Sequence, residues 1–178
     1  GAPTKDILRT LVENIRGQLV AAGRDAYDAR IYTLLTIITD ATTEAARAKA
    51  AEYQRLASDE GSLVFMSGWM GIDLASYDLD EPIGNVASNA IQSAVAAFQQ
   101  ASDTGEQWRV RDIAGWGGIG GMGPVLIGSG DDVADALLDW VAETDVDGFN
   151  LAYAVTPGTF SDVITHVVPA LERRGAYR

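Results

Sequence analysis

The stretch "RIYTLLTIIT", Arg30 to Thr39, decides the fold class of this chain. It is β-branched and apolar at both alternating sets of positions, a pattern typical of a parallel strand that helices cover on both faces. An amphipathic helix is predicted before it, from Thr4 to Ala22, with Gly23 as its stop signal. The helix-forming run "TEAARAKAAEYQRLA" follows directly. The first part of the chain is therefore predicted to form a helix, a strand and a second helix.

The same order returns near the C-terminus. "PVLIGS" predicts a short strand, "DDVADALLDWVAE" a helix and "GFNLAYAV" a buried strand. A final apolar-faced helix follows, which Pro169 is expected to kink or restart. Alternating strands and helices predict an α/β fold with parallel pairing and right-handed crossovers. Two convincing strands and one short one are too few to close an eight-stranded barrel or to make a well-covered open sheet, so the chain is expected to be incomplete in isolation.

The turn in "LIGSGDDVADALL" resembles an anion site, because a helix begins directly after a strand. Ser129 is, however, a plausible N-cap, and Asp132 follows it at the spacing of a capping box. Asp131 and Asp132 would also repel a phosphate. Helix capping is therefore the favoured interpretation.

A long insert, Asp59 to Gly123, separates these two parts and exceeds the length of a simple connection. It contains a predicted helix, Val86 to Gln100, and three of the four tryptophans: Trp69, Trp108 and Trp116. Such an insert can build a pocket or a lid, or it can be an apolar cover over the scaffold's core. Both interpretations stay open at this point.

The insert ends in "GWGGIGGMGP", where Gly115, Gly117 and Gly120 have the spacing of a dinucleotide-binding fingerprint. That fingerprint requires a buried strand before it and a helix after it. Here the preceding "QWRVRDIA" is charged, and the motif leads into a strand. We therefore predict a flexible loop, with Trp116 and Met122 as its apolar contacts.

Composition excludes several classes of function. The formal net charge of -12, from 13 Lys and Arg against 25 Asp and Glu, disfavours nucleic acid and anionic membrane surfaces as partners. No apolar run approaches the roughly 18 to 20 residues of a membrane-spanning helix, so the cytoplasm is the expected location. Cysteine is absent and His166 is the single histidine, which leaves no zinc set and no Ser-His-Asp set to assemble, and no metal is expected. Asp162, four residues before His166, suits a hydrogen bond on the helix surface.

Two longer stretches resemble a known family. These are "SGWMGIDLASYDLDEPIGNVASNAIQSAV" and "GPVLIGSGDDVADALLDWVAETDVDGFNLAYAVTPGTFSDVITHVVPALERRGAYR". They are similar to the C-terminal portion of the two-component, FMN-dependent monooxygenases of the bacterial-luciferase-like superfamily, which include the nitrilotriacetate, dibenzothiophene-sulfone, dimethyl-sulfide and long-chain-alkane monooxygenases. The resemblance is most specific at "VAD…W…DGFNL" and "LERRGAYR".

This resemblance implies the C-terminal part of a (βα)8 TIM barrel with a long insertion. Residues 1–58 and 124–178 would be barrel βα units, and residues 59–123 the insertion or lid region. It implies FMN, delivered reduced by a separate NAD(P)H:flavin reductase, and O2 as co-substrate. Most catalytic side chains would come from an earlier half of the protein that lies outside this chain.

The resemblance also suggests which residues of this chain line the substrate pocket or lid. The candidates are Phe65, Ser67, Trp69, Asn89, Trp116, Met122 and Asn150. A packing or loop-fixing role is an equally open interpretation for each of them. One departure concerns "LVFMSGW": several relatives carry a histidine near the position of Phe65, and this chain has none there.

Two functional hypotheses follow. In the first, the chain is the C-terminal segment of a monooxygenase that oxygenates a small organosulfur, amine or hydrocarbon substrate. In the second, it is a truncated, non-catalytic α/β fragment that works only by association with its missing half or with another copy, because exposed strand edges favour association. The expected partner in such an assembly is another copy of the chain, giving a homo-oligomer, or the missing N-terminal half.

Overall fold

The structure is a computed structural model that describes residue 2 and residues 4–82, 108–119 and 123–177, without the side chain of Trp116. The predicted helix Val86 to Gln100 lies outside these residues. The described elements, in chain order, are α1 (Lys5–Ala21), β1 (Tyr32–Asp40), α2 (Thr43–Leu56), α3 (Asp59–Met70), a 3-10 turn (Leu74–Ser76), α4 (Val110–Gly118), β2 (Val125–Ser129), α5 (Gly130–Thr144), β3 (Gly148–Ala152), α6 (Gly158–Asp162), a π-helical segment (Val163–Val167) and α7 (Val168–Arg173).

The three described strands form one parallel sheet in the order β2-β1-β3. Thr36, in the middle of β1, lies opposite Val125 of β2 on one edge and Ala152 of β3 on the other. The C-terminal half of β1 therefore pairs with β2 and its N-terminal half with β3. The predicted parallel α/β architecture is confirmed. Consecutive barrel units would place β3 beside β2, and the position of β1 between them is a feature that the sequence did not predict.

Helices cover β1 on both faces. Leu35 and Ile37 pack with Val133 and Val163 from α5 and the C-terminal helical region. On the opposite face, Ile38 lies against α2, whose alanines allow the helix to come close. The two crossovers thus place helices on opposite faces of the sheet. The residues of β2 and β3 are less buried than those of β1, as expected for a sheet of so few strands.

The predicted helix ends are confirmed where the sequence carries capping residues. Ser129 caps α5 by accepting from the backbone N–H of Asp132, whose side chain accepts in turn from the N–H of Ser129. Gly23 adopts a positive φ of 76° after α1, as its stop signal predicted. Pro169 also acts as predicted: the helix widens into the π-helical segment and restarts as α7 at Val168.

The glycine-rich motif is helical from Gly115 to Gly118, so the prediction of a flexible loop is wrong for these residues. Gly115 and Gly117 belong to α4, which packs on α3. A Cβ on Gly117 would lie 2.8 Å from Cγ of Met66, and one on Gly118 would lie 2.9 Å from Oγ of Ser62. These glycines therefore allow close helix packing rather than chain flexibility, a tertiary effect that turn statistics miss. Gly120 lies outside the described residues.

A buried guanidinium ties α1 to the amino ends of the strands. Arg16, which is 8% exposed, donates from Nε to Oδ2 of Asp145 at 2.5 Å and from Nη2 to the Asp145 carbonyl at 2.7 Å. It also lies 4.1 Å from the ring centre of Tyr27. The neighbouring Asp147 accepts from the N–H of Ile31 and from Arg30, and these bonds hold the pKa of Asp147 below its usual range. The cluster therefore fastens the starts of β1 and β3 to one another.

Replacing Arg16 is expected to destabilise the protein strongly. Arg16→Met should lower the free energy of unfolding by about 2–3 kcal/mol, because Asp145 and its carbonyl lose charge-assisted hydrogen bonds. Arg55 makes an exposed pair with Glu52 on the same helix, so Arg55→Met should cost no more than about 0.5 kcal/mol. Urea unfolding of both variants tests this, and equal losses would contradict it.

Three threonine hydroxyls on β1 are expected to destabilise the protein, so that removing one of them should stabilise it. Within the described residues, the Oγ1 atoms of Thr33, Thr36 and Thr39 are buried without a hydrogen-bond partner. Thr36→Val should therefore raise the free energy of unfolding by about 1 kcal/mol. The matched control is Thr144, equally buried, whose Oγ1 donates to the carbonyl of Trp140 at 2.7 Å. Thr144→Val should destabilise the protein, and thermal unfolding that shifts both variants in the same direction would refute this account.

Candidate functional site

The predicted lid residues of α3 divide into two kinds. Phe65 and Trp69, one helical turn apart, are 52% and 47% exposed. Ser67 instead accepts a hydrogen bond on Oγ from the N–H of Leu74 at 3.0 Å. Ser67 therefore fixes the turn after α3, whereas the two aromatic rings are available for contact.

The remaining predicted residues do not join them in one described pocket. Asn150 lies on β3, opposite Leu34, and is exposed. The backbone of Trp116 belongs to α4, while Asn89 and Met122 lie outside the described residues. The structure thus brings Phe65 and Trp69 together on one helix and leaves Asn150 on a separate element.

The predicted residues do not line either of two grooves that lie among the described residues. The first has a volume of about 460 Å³ and lies between α2, the end of α4 and β2, with Arg47 and Gln54 as polar side chains in a lining that includes Ile38 and Ile127. The second, about 540 Å³, runs along β3 between α5 and the C-terminal helices. Its lining is apolar apart from Asp147, so it offers packing surface rather than reactive groups.

The carboxyl edge of the sheet carries a group of polar side chains that the sequence analysis did not single out. Ligands of α/β proteins bind outside the carboxyl ends of parallel strands. There, Nζ of Lys49 lies 2.8 Å from Oδ2 of Asp40, 2.8 Å from Oδ2 of Asp162 and 2.9 Å from the carbonyl oxygen of Thr39. Lys49 belongs to α2, Asp40 ends β1 and Asp162 ends α6, so one ammonium group joins three elements.

The charged forms of Lys49 and Asp40 stabilise one another. The hydrogen bond from Lys49, aided by the N–H of Ala41, holds the pKa of Asp40 below its usual range. Burial by itself would lower the pKa of Lys49, but its bonds to Asp162 and Asp40 outweigh burial and raise it. The ammonium of Lys49 and the carboxylate of Asp40 therefore stay charged near neutral pH, which suits a structural tie better than proton transfer.

The start of α5 lies at the same edge. Asp132 accepts hydrogen bonds from Thr43 and Ser129, which hold the pKa of Asp132 below its usual range. A Cβ on Gly130 would lie only 2.0 Å from the carbonyl oxygen of His166. Glycine is therefore required where α5 begins against the π-helical segment.

His166 does not form the predicted hydrogen bond with Asp162. Asp162 bonds to Lys49 instead. The π-helical segment Val163–Val167 lies between the two residues and contains His166. Its wider turn removes the i, i+4 alignment of an α-helix on which the prediction depended.

The loop after β3 completes the carboxyl edge. Thr159 is buried and accepts on Oγ1 from the N–H groups of Ala154 and Val155, each at 3.2 Å. Tyr153 is exposed at the start of this loop, and its ring centre lies 6.0 Å from that of Phe160. The loop therefore has a fixed backbone and an exposed aromatic surface.

The residues that sequence reasoning missed carried a weak signal. Asp40 is the first acidic residue after the buried run Arg30 to Thr39, and Lys49 lies on the helix that follows directly. A strand end is where function is expected in this fold class, so Asp40 could have been found. The pairing with Asp162, more than a hundred residues away, could not.

The described residues meet neither the requirements of a metal site nor those of a membrane-spanning helix. Within residues 4–82, 108–119 and 123–177, no group of three or more His, Asp or Glu side chains could hold a metal ion. Across the same part of the chain, no helix combines the length and apolar character needed to cross a membrane.

Comparison with known proteins gives a consistent result. No family model matches the chain. It is 44% identical to dimethyl-sulfide monooxygenase from Hyphomicrobium sulfonivorans, over 94% of this chain and 35% of that protein. It is 29% identical to long-chain alkane monooxygenase from Geobacillus thermodenitrificans strain NG80-2, over 100% of this chain and 36% of that protein.

The fold agrees with these similarities. The crystal structure of DmoA from Hyphomicrobium sulfonivorans matches with a TM-score of 0.83 and 42% identity, over 99% of this chain and 37% of that one. The chain thus spans a little over a third of the length of the relatives it matches. Its similarity along nearly its whole length, together with the shared α/β fold, confirms the predicted resemblance of this chain to part of a bacterial-luciferase-like monooxygenase.

Proposed function

We propose that this chain is the C-terminal portion of a flavin-dependent monooxygenase that uses FMNH2 and O2 to oxygenate a small organosulfur, amine or hydrocarbon substrate. The observation that carries the proposal is the 44% identity to a dimethyl-sulfide monooxygenase over nearly the whole chain. The relative named for long-chain alkanes supports a hydrocarbon as the other substrate class. The reduced flavin, when bound, would supply the activation of O2.

Two features of the carboxyl edge argue against a site for the flavin phosphate there. The first turn of α5, which starts at the carboxyl edge, carries Asp131 and Asp132, both of which would repel a phosphate. Lys49, at the same edge, is already neutralised by two carboxylates. The proposal therefore assigns phosphate binding to a part of the protein outside this chain, and with it most of the catalytic side chains.

This chain's own contribution is to shape the substrate pocket and to exclude water from it. Phe65 and Trp69 present exposed aromatic rings from α3, held in place where Ser67 fixes the following turn. Asn150, Trp116, Asn89 and Met122 are proposed as further pocket or lid residues. Residues 59–123 would form the lid, and residues 1–58 and 124–178 the last barrel βα units. Excluding water limits side reactions of a reactive oxidant.

The proposal includes partners and a location. A separate NAD(P)H:flavin reductase would supply the reduced FMN, and the protein would work as a homo-oligomer in the cytoplasm. No metal ion has a role in this scheme. The net charge of -12 is consistent with a protein that meets small molecules rather than nucleic acid.

A second candidate function is favoured by the apolar groove along β3. Ile164 and Tyr177, which line this groove, are 66% and 53% exposed. Such a surface suits association with the missing half or with another copy, so the 178 residues alone would act as a non-catalytic fragment. A strictly monomeric, flavin-binding species of this chain in sedimentation would contradict that candidate.

The first proposal is tested with the full-length protein, FMN, NADH and a flavin reductase. Oxygenated product should form from dimethyl sulfide, an n-alkane or an amine, and mass spectrometry with ¹⁸O2 should place the label in the product. No product from any of these substrates, despite a supply of reduced flavin, would overturn the proposal.

The lid assignment is tested by a double variant, Phe65→Ala with Trp69→Ala. Product formed per flavin oxidised should fall by about tenfold, the factor that a loss of 1.4 kcal/mol produces, while hydrogen peroxide rises. Leu56, 69% exposed at the end of α2, provides the control Leu56→Ala, which should leave this ratio unchanged. An unchanged ratio in the double variant would contradict the assignment of Phe65 and Trp69 to the lid.

A further inference from the structure

Lys49 connects elements that lie on opposite faces of the sheet. It projects from α2, which covers the face of Ile38, and reaches Asp162 at the end of α6. The C-terminal helical region that follows Asp162 covers the other face, where Val163 packs with Leu35. Between them, Lys49 bonds to Asp40 and to the carbonyl of Thr39 at the end of β1. The ammonium group thus bridges the carboxyl end of the central strand.

The contact extends from α6 to the loop after β3. Asp162 and Thr159 belong to the same short helix. The hydroxyl of Thr159 accepts from the N–H groups of Ala154 and Val155 and so fixes that loop. A displacement of α6 would therefore carry the loop with it, together with the exposed ring of Phe160.

Removing the ammonium would also leave two carboxylates facing one another. Oδ2 of Asp40 and Oδ2 of Asp162 each lie 2.8 Å from the same Nζ atom. All three side chains are only partly exposed, at 22% for Lys49, 32% for Asp40 and 29% for Asp162. Solvent therefore screens their repulsion only in part, and α6 would be pushed away from the end of β1.

The geometry points to Lys49 as a positioning residue: it holds α6 and the loop Tyr153 to Pro157 against the end of β1, where they form one wall of the proposed oxygenation site. This inference rests on the proposed function for the identity of the site. Lys49 has no part in the chemistry, because Asp40, Asp162 and the Thr39 carbonyl occupy all three N–H donors of its ammonium group. It acts through the position of the loop.

Lys5 provides a matched control. Its Nζ lies 2.6 Å from Oε1 of Glu143, with side-chain exposures of 30% and 49%, and the pair joins α1 to α5. Glu143 is near the end of α5, on the side of the sheet where β3 begins. Lys5→Met therefore removes a comparable ion pair that does not touch the carboxyl edge.

The first measurement is hydrogen exchange in the full-length protein, which needs no activity. In Lys49→Met the amides of Ala154 and Val155 should exchange about tenfold faster, because α6 no longer holds Thr159 against the loop. Lys49→Arg should restore most of the protection, since a guanidinium can donate to both carboxylates. Lys5→Met should leave these amides unchanged. Unchanged exchange in Lys49→Met, or equal acceleration in Lys5→Met, would overturn the inference.

The second measurement is the product formed per flavin oxidised, well below the unfolding temperature of each variant. Lys49→Met should lower this ratio severalfold and raise hydrogen peroxide, while Lys49→Arg recovers it and Lys5→Met keeps it. If product and hydrogen peroxide both fell in equal proportion, the variant would simply contain less folded protein. That result would overturn the positioning role. If the wild-type protein oxygenates nothing, the proposed function fails, and the exchange result still decides whether Lys49 holds the loop.

Discussion

The structure depends on the double pairing of β1. This strand hydrogen-bonds to β2 along its C-terminal half and to β3 along its N-terminal half. Because it is also buried on both faces, helices must pack on either side of it, and the crossovers that connect the strands place them there. A strand in this position requires apolar or β-branched residues at every buried site, which is why "YTLLTIIT" has them.

The two ends of β1 are held by different charge clusters. At the amino end, buried Arg16 joins α1 to Asp145 and Asp147, between the starts of β1 and β3. At the carboxyl end, partly exposed Lys49 joins α2 to Asp40 and Asp162. Active sites of parallel α/β folds occur at the carboxyl edge, whereas the opposite edge serves stability. The amino-end cluster therefore accounts for stability, and the carboxyl-end cluster is proposed to position the loop after β3.

Local sequence predicted the elements better than their contacts. The caps at Ser129 and Gly23 and the restart at Pro169 were correct, because each depends on a few neighbouring backbone groups. The helical packing of Gly117 and Gly118 was missed, since it depends on the close approach of Met66 and Ser62 from α3. The His166–Asp162 bond was wrong, because Lys49, distant in sequence, takes Asp162. Of the predicted site residues, Phe65 and Trp69 share an exposed helix, while Ser67 fixes a turn.

By itself, the sequence determined the secondary structure around β1, the parallel α/β class and the resemblance to one family, because periodicity, caps and motifs are properties of short segments. Only the tertiary structure decided that β1 lies between β2 and β3, that a glycine-rich motif packs as a helix, and that Asp40, Lys49 and Asp162 meet at one edge. The physical reason is that these features depend on atoms brought together from distant parts of the chain. Their energies come from packing and charge at close range, which no local pattern contains.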